Sequence, residues 1–303
     1  MTEFAGLTFR RPGAEDLPKA AAVFAAEEQA VRGEVTMGVD EMRDWWRMFD
    51  LDAAAWIVED DAGHTIAFSA LMQRGDDFDC WTGVDPRFTG RGLSTELLAR
   101  AEQTVRERGG DRLKAGMLVE NDRARALLES LGFHEVRRFY RMQIDFGGAA
   151  QAASEVEGIR LARFEREQAR AYHAALNEGF ADEWGFVPMP FDEWQRLRLH
   201  ASGTDTSLWF VAWDGDEIAG VIRCDAEKFG GGFVGALAVL KPWRGRGIGM
   251  ALLQRAFQEF HGRGVSHVSL GVDAQNASGA TRLYERAGMR VVSEDVVFAK
   301  QLT

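Results

Sequence analysis

Cysteine is nearly absent: two residues, Cys80 and Cys224, sit in opposite halves of a 303-residue chain. That excludes a disulfide framework, and the plain reading is two reduced, partly buried thiols. Histidine is sparse too. The six are scattered without the spacing of zinc ligands, so no metal is expected. No run approaches the roughly 18 apolar residues of a membrane span. The opening stretch, MTEFAGLTFRRPGAEDL, lacks the basic and apolar segments of a signal peptide, so a cytoplasmic location is expected. Positive charge is in deficit. The formal net charge is −11, a field that repels polyanions such as DNA. Neither a nucleic-acid nor a membrane partner is expected, whereas a cationic partner such as an amine suits the acidic surface.

What is present is a repeat. Hydrophobic residues make up 46% and charged residues 27%, an ordinary soluble composition, and the length allows two domains. GLTFRRPGAEDLPKAAAVF from Gly6 and GIRLARFEREQARAYHAAL from Gly158 both alternate like a strand, then take helical spacing. WIVEDDAGHTIAF from Trp56 and WFVAWDGDEIAG from Trp209 both read as hairpins. Gly92 and Gly247 head matching glycine loops 155 residues apart (247 − 92). NDRARALLESLGF and NASGATRLYERAGM begin at Asn121 and Asn276, again 155 apart (276 − 121). Four matched segments in one order mean two copies of one domain. Each copy should run strand, helices, hairpin, strand, glycine loop, helix, strand, helix, strand: a mixed α/β fold, its sheet flanked by helices. The expected boundaries are residues 1–146, a small-residue linker at 147–157, and residues 158–303.

The second loop, KPWRGRGIGMALL, joins the strand FVGALAVLK to an apolar helix. The first backbone N–H groups of a helix have no helical partner, and with the helix dipole they make an anion site. Gly245, Gly247 and Gly249 leave backbone bare there, and Arg244 and Arg246 add charge, so a pyrophosphate is the natural guest. A P-loop would need Gly-Lys-Ser/Thr, which is absent. A dinucleotide fingerprint would need a different glycine spacing.

RGRGIG, Arg244 to Gly249, resembles motif A of the GNAT superfamily of N-acetyltransferases, Arg/Gln-x-x-Gly-x-Gly/Ala. NASGATRLYERAGM resembles the Asn…Leu-Tyr-Glu…Gly-Phe segment that follows it in that family. The resemblance covers nearly the whole chain as a tandem pair of GNAT folds, each a mixed, mostly antiparallel sheet. Such pairs include the mycothiol synthases, though no residue here singles out their substrate. The resemblance implies acetyl-CoA as donor, held by the loop residues Arg244, Gly245, Arg246, Gly247, Ile248 and Gly249. It implies that the backbone of Leu237, Ala238 and Val239 polarises the thioester, and that Asn276 lies near the cofactor, where it could also cap a helix. It implies that Tyr284 protonates the departing thiolate.

The first copy departs from this pattern. Thr89, Gly92 and Ser94 stand where the second has Arg244, Gly247 and Gly249, and Leu128 stands where the second has Tyr284. Leucine has no proton to give. The expectation is a catalytic second domain and a degenerate first one. The amine must also lose a proton. NEGFADEWGFVPMPFDEW, Asn177 to Trp194, combines carboxylates with aromatics, which suits an ammonium-bearing substrate. Asp182, Glu183 and Trp184 are the expected acceptor contacts, with Glu183 as base. The equivalent stretch of the first copy, Glu27 to Trp46, has carboxylates with no assigned chemistry. The resulting reading is an N-acetyltransferase acting on a small amine by direct attack, as a monomer or homodimer. The alternatives are a protein lysine or N-terminal acetyltransferase and a non-catalytic acyl-CoA scaffold.

Overall fold

The structure is a computed structural model, and it describes residues 4–148, 153–276 and 278–302. The chain forms two compact units, Met1–Arg138 with Asp295–Thr303 (unit 1) and Phe139–Glu294 (unit 2).

Unit 1 runs β1 (Leu7–Arg10), α1 (Leu17–Arg32), α2 (Val39–Trp46), β2 (Ala55–Asp60), β3 (Thr65–Arg74), β4 (Asp77–Val84), α3 (Leu93–Glu107), β5 (Arg112–Leu118) and α4 (Asp122–Ser130), and the chain then enters β6 (His134–Asp145). Unit 2 repeats the order: β7 (Ile159–Arg163), α5 (Ala169–Phe180), α6 (Phe191–Trp194), β8 (Phe210–Asp214), β9 (Glu217–Lys228), β10 (Gly231–Val239), α7 (Ile248–Gly262), β11 (His267–Asp273), α8 (Ala280–Arg286) and β12 (Arg290–Gln301). In unit 1 the strands neighbour one another as β1-β2-β3-β4-β5-β12, and in unit 2 as β7-β8-β9-β10-β11-β6. Only β4/β5 and β10/β11 are parallel among the register-defined pairs within each unit.

The last strand of each unit comes from the other copy of the repeat. Asp295–Gln301 of β12 pair with Leu118–Arg112 of β5, and Phe139–Asp145 of β6 pair with Asp273–His267 of β11. By compactness the units divide at 138/139 and 294/295, whereas the boundaries at 146 and 158 delimit the two copies of the repeat along the chain. The repeat measures similarity along the chain and carries no information about which strand a terminal strand will join. Within the expected linker, residues 149–152 lie outside the described residues.

Local sequence explains the elements. Along α7, Ile248, Ala251, Leu252, Ala256 and Phe260 recur at helical spacing and are buried. The corresponding face of α3 carries Leu93, Leu97, Leu98, Ala101 and Val105. The core of unit 2 gathers Tyr172, Trp194, Trp209 and Phe210 beside the buried face of α7. Cys80 and Cys224 are buried free thiols. No described helix is long and apolar enough to cross a membrane.

Candidate active site

In unit 2 the parallel ladder between β10 and β11 joins Gly232–Val234 to Val268–Leu270 and then stops. β10 stays paired with β9 as far as Val239 and Gly220. Beyond Val234 the edge of β10 that faces β11 has no registered partner, so a slot opens between the two strands. The cause is local. Val234 pairs with Cys224 and Ala236 with Arg223, which leaves Gly235 as an extra residue in a bulge. A Cβ at Gly235 would lie 2.1 Å from an Arg223 terminal nitrogen, so a larger residue here would have to displace the Arg223 side chain. The isolated glycine within FVGALAV was the available sequence signal for it.

The glycine loop begins where β10 ends. Gly245 and Gly247 have φ of +81° and +86°, the left-handed region that favours glycine. A Cβ at Gly245 would meet nothing within 4 Å, so the backbone there is open. The N-cap of α7 is Gly247, and its carbonyl accepts the first helical bond from Ala251 N at 3.1 Å. The N–H groups of Ile248, Gly249 and Met250 thus precede the helical ladder, at the positive end of the helix. This loop fits a pyrophosphate. Gly249 has a different function: a Cβ there would come within 3.1 Å of Leu283, so its small size serves the packing of α8 on α7. Ile248 points into the core.

Both loop arginines are held by protein groups. Arg244 Nε donates to the Val239 carbonyl at 3.0 Å and a terminal nitrogen to the Gly179 carbonyl at 3.2 Å, tying the end of β10 to the last turn of α5. Arg246 bonds Asp214 at 2.9 Å and the Glu157 carbonyl at 3.3 Å. The anion-binding capacity of the loop therefore rests chiefly on backbone.

Two of the sequence-derived residues meet, and a third lies within reach of their charge. The turn after α5 carries Asp182, Glu183 and Trp184. Asn276 Nδ2 donates to Glu183 Oε2 at 2.7 Å, although the two are 93 residues apart. Tyr284, on α8, is buried, and its hydroxyl is pushed up to about 12, first by burial and then by the negative charge of Glu183. Asp182 faces the other way, to Lys241 Nζ at 2.8 Å and Arg244 at 3.9 Å, and Lys241 holds its carboxyl below the ordinary range. Lys241 was not anticipated from the sequence. Asn276 does not cap α8, whose N-cap is Gly279; its Oδ1 accepts from Ser278 N at 2.7 Å. Trp184 is half-exposed with its ring 6.1 Å from Phe139. The stretch read as one acceptor wall divides. Phe180 and Phe186 stack beside the turn, while Trp194 enters the core against Trp209 and Asp192 faces solvent.

Unit 1 keeps the slot and the loop backbone. Its parallel ladder joins Phe78–Cys80 to Leu113–Ala115 and stops. Gly90 and Gly92 both have φ of +77°, and Gly92 is the N-cap of α3. There is no bulge: β3 and β4 pair without interruption from Arg74–Asp77 to Ala67–Val84. Leu128 is buried among Cys80, Leu98 and Phe133.

A sheet opened between two parallel strands, with a bare helix N-terminus at its end and a phenol on the neighbouring helix, agrees with the class that comparison with known proteins gives, an acyl-group transferase. The sequence profile of the Acetyltransferase (GNAT) family matches residues 21–133 and 166–289, and the chain belongs to that family. The chain is 28% identical over 245 residues to a mycothiol acetyltransferase of Thermobispora bispora, covering 78% of this chain and 81% of that one. It is 26% identical to the mycothiol acetyltransferase of Catenulispora acidiphila over 310 residues, 95% and 96% of the two chains. Among solved structures, a GCN5-related N-acetyltransferase from Sphaerobacter thermophilus superposes with a TM-score of 0.84 at 30% identity, covering 98% and 96% of the two chains. A tandem GNAT protein from the clavulanic acid biosynthesis pathway shares the fold, with a TM-score of 0.74 at 15% identity over 97% and 98% of the chains. The protein is thus an acetyltransferase with two tandem GNAT regions.

Proposed function

We propose that unit 2 transfers an acetyl group from acetyl-CoA to the amine of a small molecule. The observation that carries this reading is the convergence of Glu183, Asn276 and Tyr284 at the slot between β10 and β11. The names of the full-length relatives favour a small-molecule acceptor over a protein.

The backbone of Gly245 to Gly249 would hold the pyrophosphate, and the strand edge of Leu237, Ala238 and Val239 would face the acyl end of the donor. When bound, acetyl-CoA supplies the activated acyl carbon and the leaving thiolate. Trp184 and Glu183 hold the acceptor amine, and Glu183 takes its proton; Asp182, engaged by Lys241, does not contact it. Asn276 keeps Glu183 aimed. Tyr284 holds its proton at Oη for the sulfur.

Acid and base are coupled. The negative charge of Glu183 raises the Tyr284 hydroxyl. Once Glu183 has accepted the amine's proton, that charge is gone, and Tyr284 becomes the stronger acid at the moment a proton is needed. The decisive experiment is a pair of pH–rate profiles. Glu183→Gln should lower kcat about 100-fold and change the shape of the profile. Tyr284→Phe should lower kcat by a similar factor with little change in the KM for acetyl-CoA. A parent-like profile for Glu183→Gln would remove it as the base, and full turnover by Tyr284→Phe would remove the phenol.

A further inference from the structure

Unit 1 has a carboxylate of its own at the equivalent place. α1 crosses the slot of unit 1. At Phe24 it lies on β4, where a Cβ on Gly83 would be 3.1 Å from the ring, and the ring meets Trp81 edge-on at 6.4 Å. One turn later Glu27 reaches the turn after β5, where Asn121 Nδ2 donates to Glu27 Oε1 at 2.7 Å. At its last residue Arg32 reaches Glu120 in the same turn, at 3.2 Å. The β4–β5 ladder has already ended at Cys80 and Ala115, so the helix bridges two strands that have parted.

The pair of Glu27 and Asn121 is not a relic copied along with the repeat. The short turns before α1 and α5 begin at Ala14 and Arg166, an offset of 152 (166 − 14). That offset puts Gly179, not Glu183, at the position of Glu27 (27 + 152). The two units reach the same glutamate–asparagine contact from different places, one inside the helix and one in the turn after it.

The surroundings are specific. Asn121 Oδ1 accepts from Ala124 N at 3.1 Å, which leaves Nδ2 as the end offered to Glu27. Glu28 is taken by Thr36 and Met37 and stays out of the site. Burial pushes the Glu27 carboxyl up to about 7, with Glu28 adding to the shift and Asn121 opposing it. With Asn121 as its hydrogen-bond partner and burial disfavouring its charge, Glu27 is not a solvated surface acid. The Arg32 side chain is 8% exposed, and its Nε, shielded from solvent, has no hydrogen-bond partner among the described residues. A buried guanidinium with an unused N–H is suited to an anion.

We propose that the slot of unit 1 is a second binding site, for a small amine that also carries an acidic group, with Glu27 holding the amine and Arg32 the acid. Asn121 positions Glu27. With Leu128 in place of a phenol, this site binds without protonating a leaving group, so it is a binding site and not a second centre of turnover. The proposal does not depend on the chemistry assigned to unit 2.

The test uses the full chain carrying Glu183→Ala, which disables the candidate acceptor contact of unit 2, and three fluorinated probes read by fluorine NMR. The probes are 4-fluoro-L-phenylalanine, with amine and acid; 4-fluorophenethylamine, with amine alone; and 3-(4-fluorophenyl)propanoate, with acid alone. The amino acid should bind most tightly and the acid least. Adding Glu27→Gln should weaken both amines by about 10-fold or more. Adding Arg32→Gln should reduce the amino acid to the affinity of the simple amine and leave that amine unchanged. A parallel Arg32→Lys protein, which keeps the charge, separates loss of the site from loss of the fold. No binding of either amine, or amine binding indifferent to Glu27→Gln, overturns the site. An amino acid bound no better than the simple amine overturns the role of Arg32.

Discussion

Unit 1 and unit 2 share strand order, a slot between parallel strands and a loop with two left-handed glycines. They part at a few points. Unit 2 has one extra residue, Gly235, and therefore a bulge beside its slot; the matching ladder of unit 1 is unbroken. Unit 2 ties its loop to α5 through Arg244, whereas Thr89 of unit 1 bonds the Pro86 carbonyl and Arg123 of α4. Unit 2 places a phenol, Tyr284, where unit 1 packs Leu128. Both set a glutamate on an asparagine amide. The two copies share the backbone geometry of the glycine loop and differ in the side chains around it. Glycine geometry is needed for the chain to turn into the helix at all, while a proton donor is needed only if the copy reacts.

The comparison can be broken most severely through the exchanged strand. Phe298 of β12 is fully buried in the core of unit 1 with Cys80, Leu113 and Phe133. Phe298→Ala should cost about 3–5 kcal/mol. By hydrogen exchange the loss of protection should fall on β5 and spare β11, and equal loss on both would contradict the division into units.

Next in size is a pH effect confined to unit 1. Glu27 moves from an ordinary 4.5 up to about 7, so the folded state binds a proton that the unfolded state releases. Its contribution is fully present below about pH 4.5 and is lost as pH rises through about 7. Glu27→Gln keeps the neutral form. It should match the parent near pH 4.5 and exceed it by about 3 kcal/mol at pH 8, at about 1.4 kcal/mol per pKa unit. Thermal melts across that range would show the gap widen, and a gap of constant size would refute the shift.

Deleting Gly235 should remove the bulge beside the slot and bring this part of β10 into the register that β4 has. Turnover should fall about 100-fold from misplacement of the strand edge, with a melting temperature near that of the parent. Retained activity would make the bulge incidental. The smallest effect sharpens the loop comparison. Since Arg244 bonds two carbonyls, Arg244→Gln should lower kcat about 10-fold through a displaced Asp182–Glu183 turn, with the dissociation constant of acetyl-CoA nearly unchanged. A dissociation constant raised 10-fold with kcat preserved would return Arg244 to the role of phosphate ligand.

Most of the fold was legible because its signals are local. The glycine loops, the hairpins and the helical spacing of Leu252, Ala256 and Phe260 all lie within a few residues of one another. Glu183 was legible as an acid beside aromatics, but its bond to Asn276 spans 93 residues and no spacing could reveal it. The same holds for Glu27 and Asn121, 94 apart, so the carboxylates of that stretch had no assigned chemistry. Arg244 looked like a free cation because sequence names a charge without naming what it touches. The exchange of β6 and β12 was out of reach for a related reason: two copies of one strand have nearly the same preferences, and the choice between partner sheets lies in the tertiary structure.

That exchange also governs the order in which the molecule can be completed as it leaves the ribosome. Unit 1 is translated first, yet β5 keeps an open edge until residues 139–294 have all been made and 295–301 follow. A nascent chain in this state presents bare strand hydrogen-bonding groups for the time needed to synthesise an entire second unit.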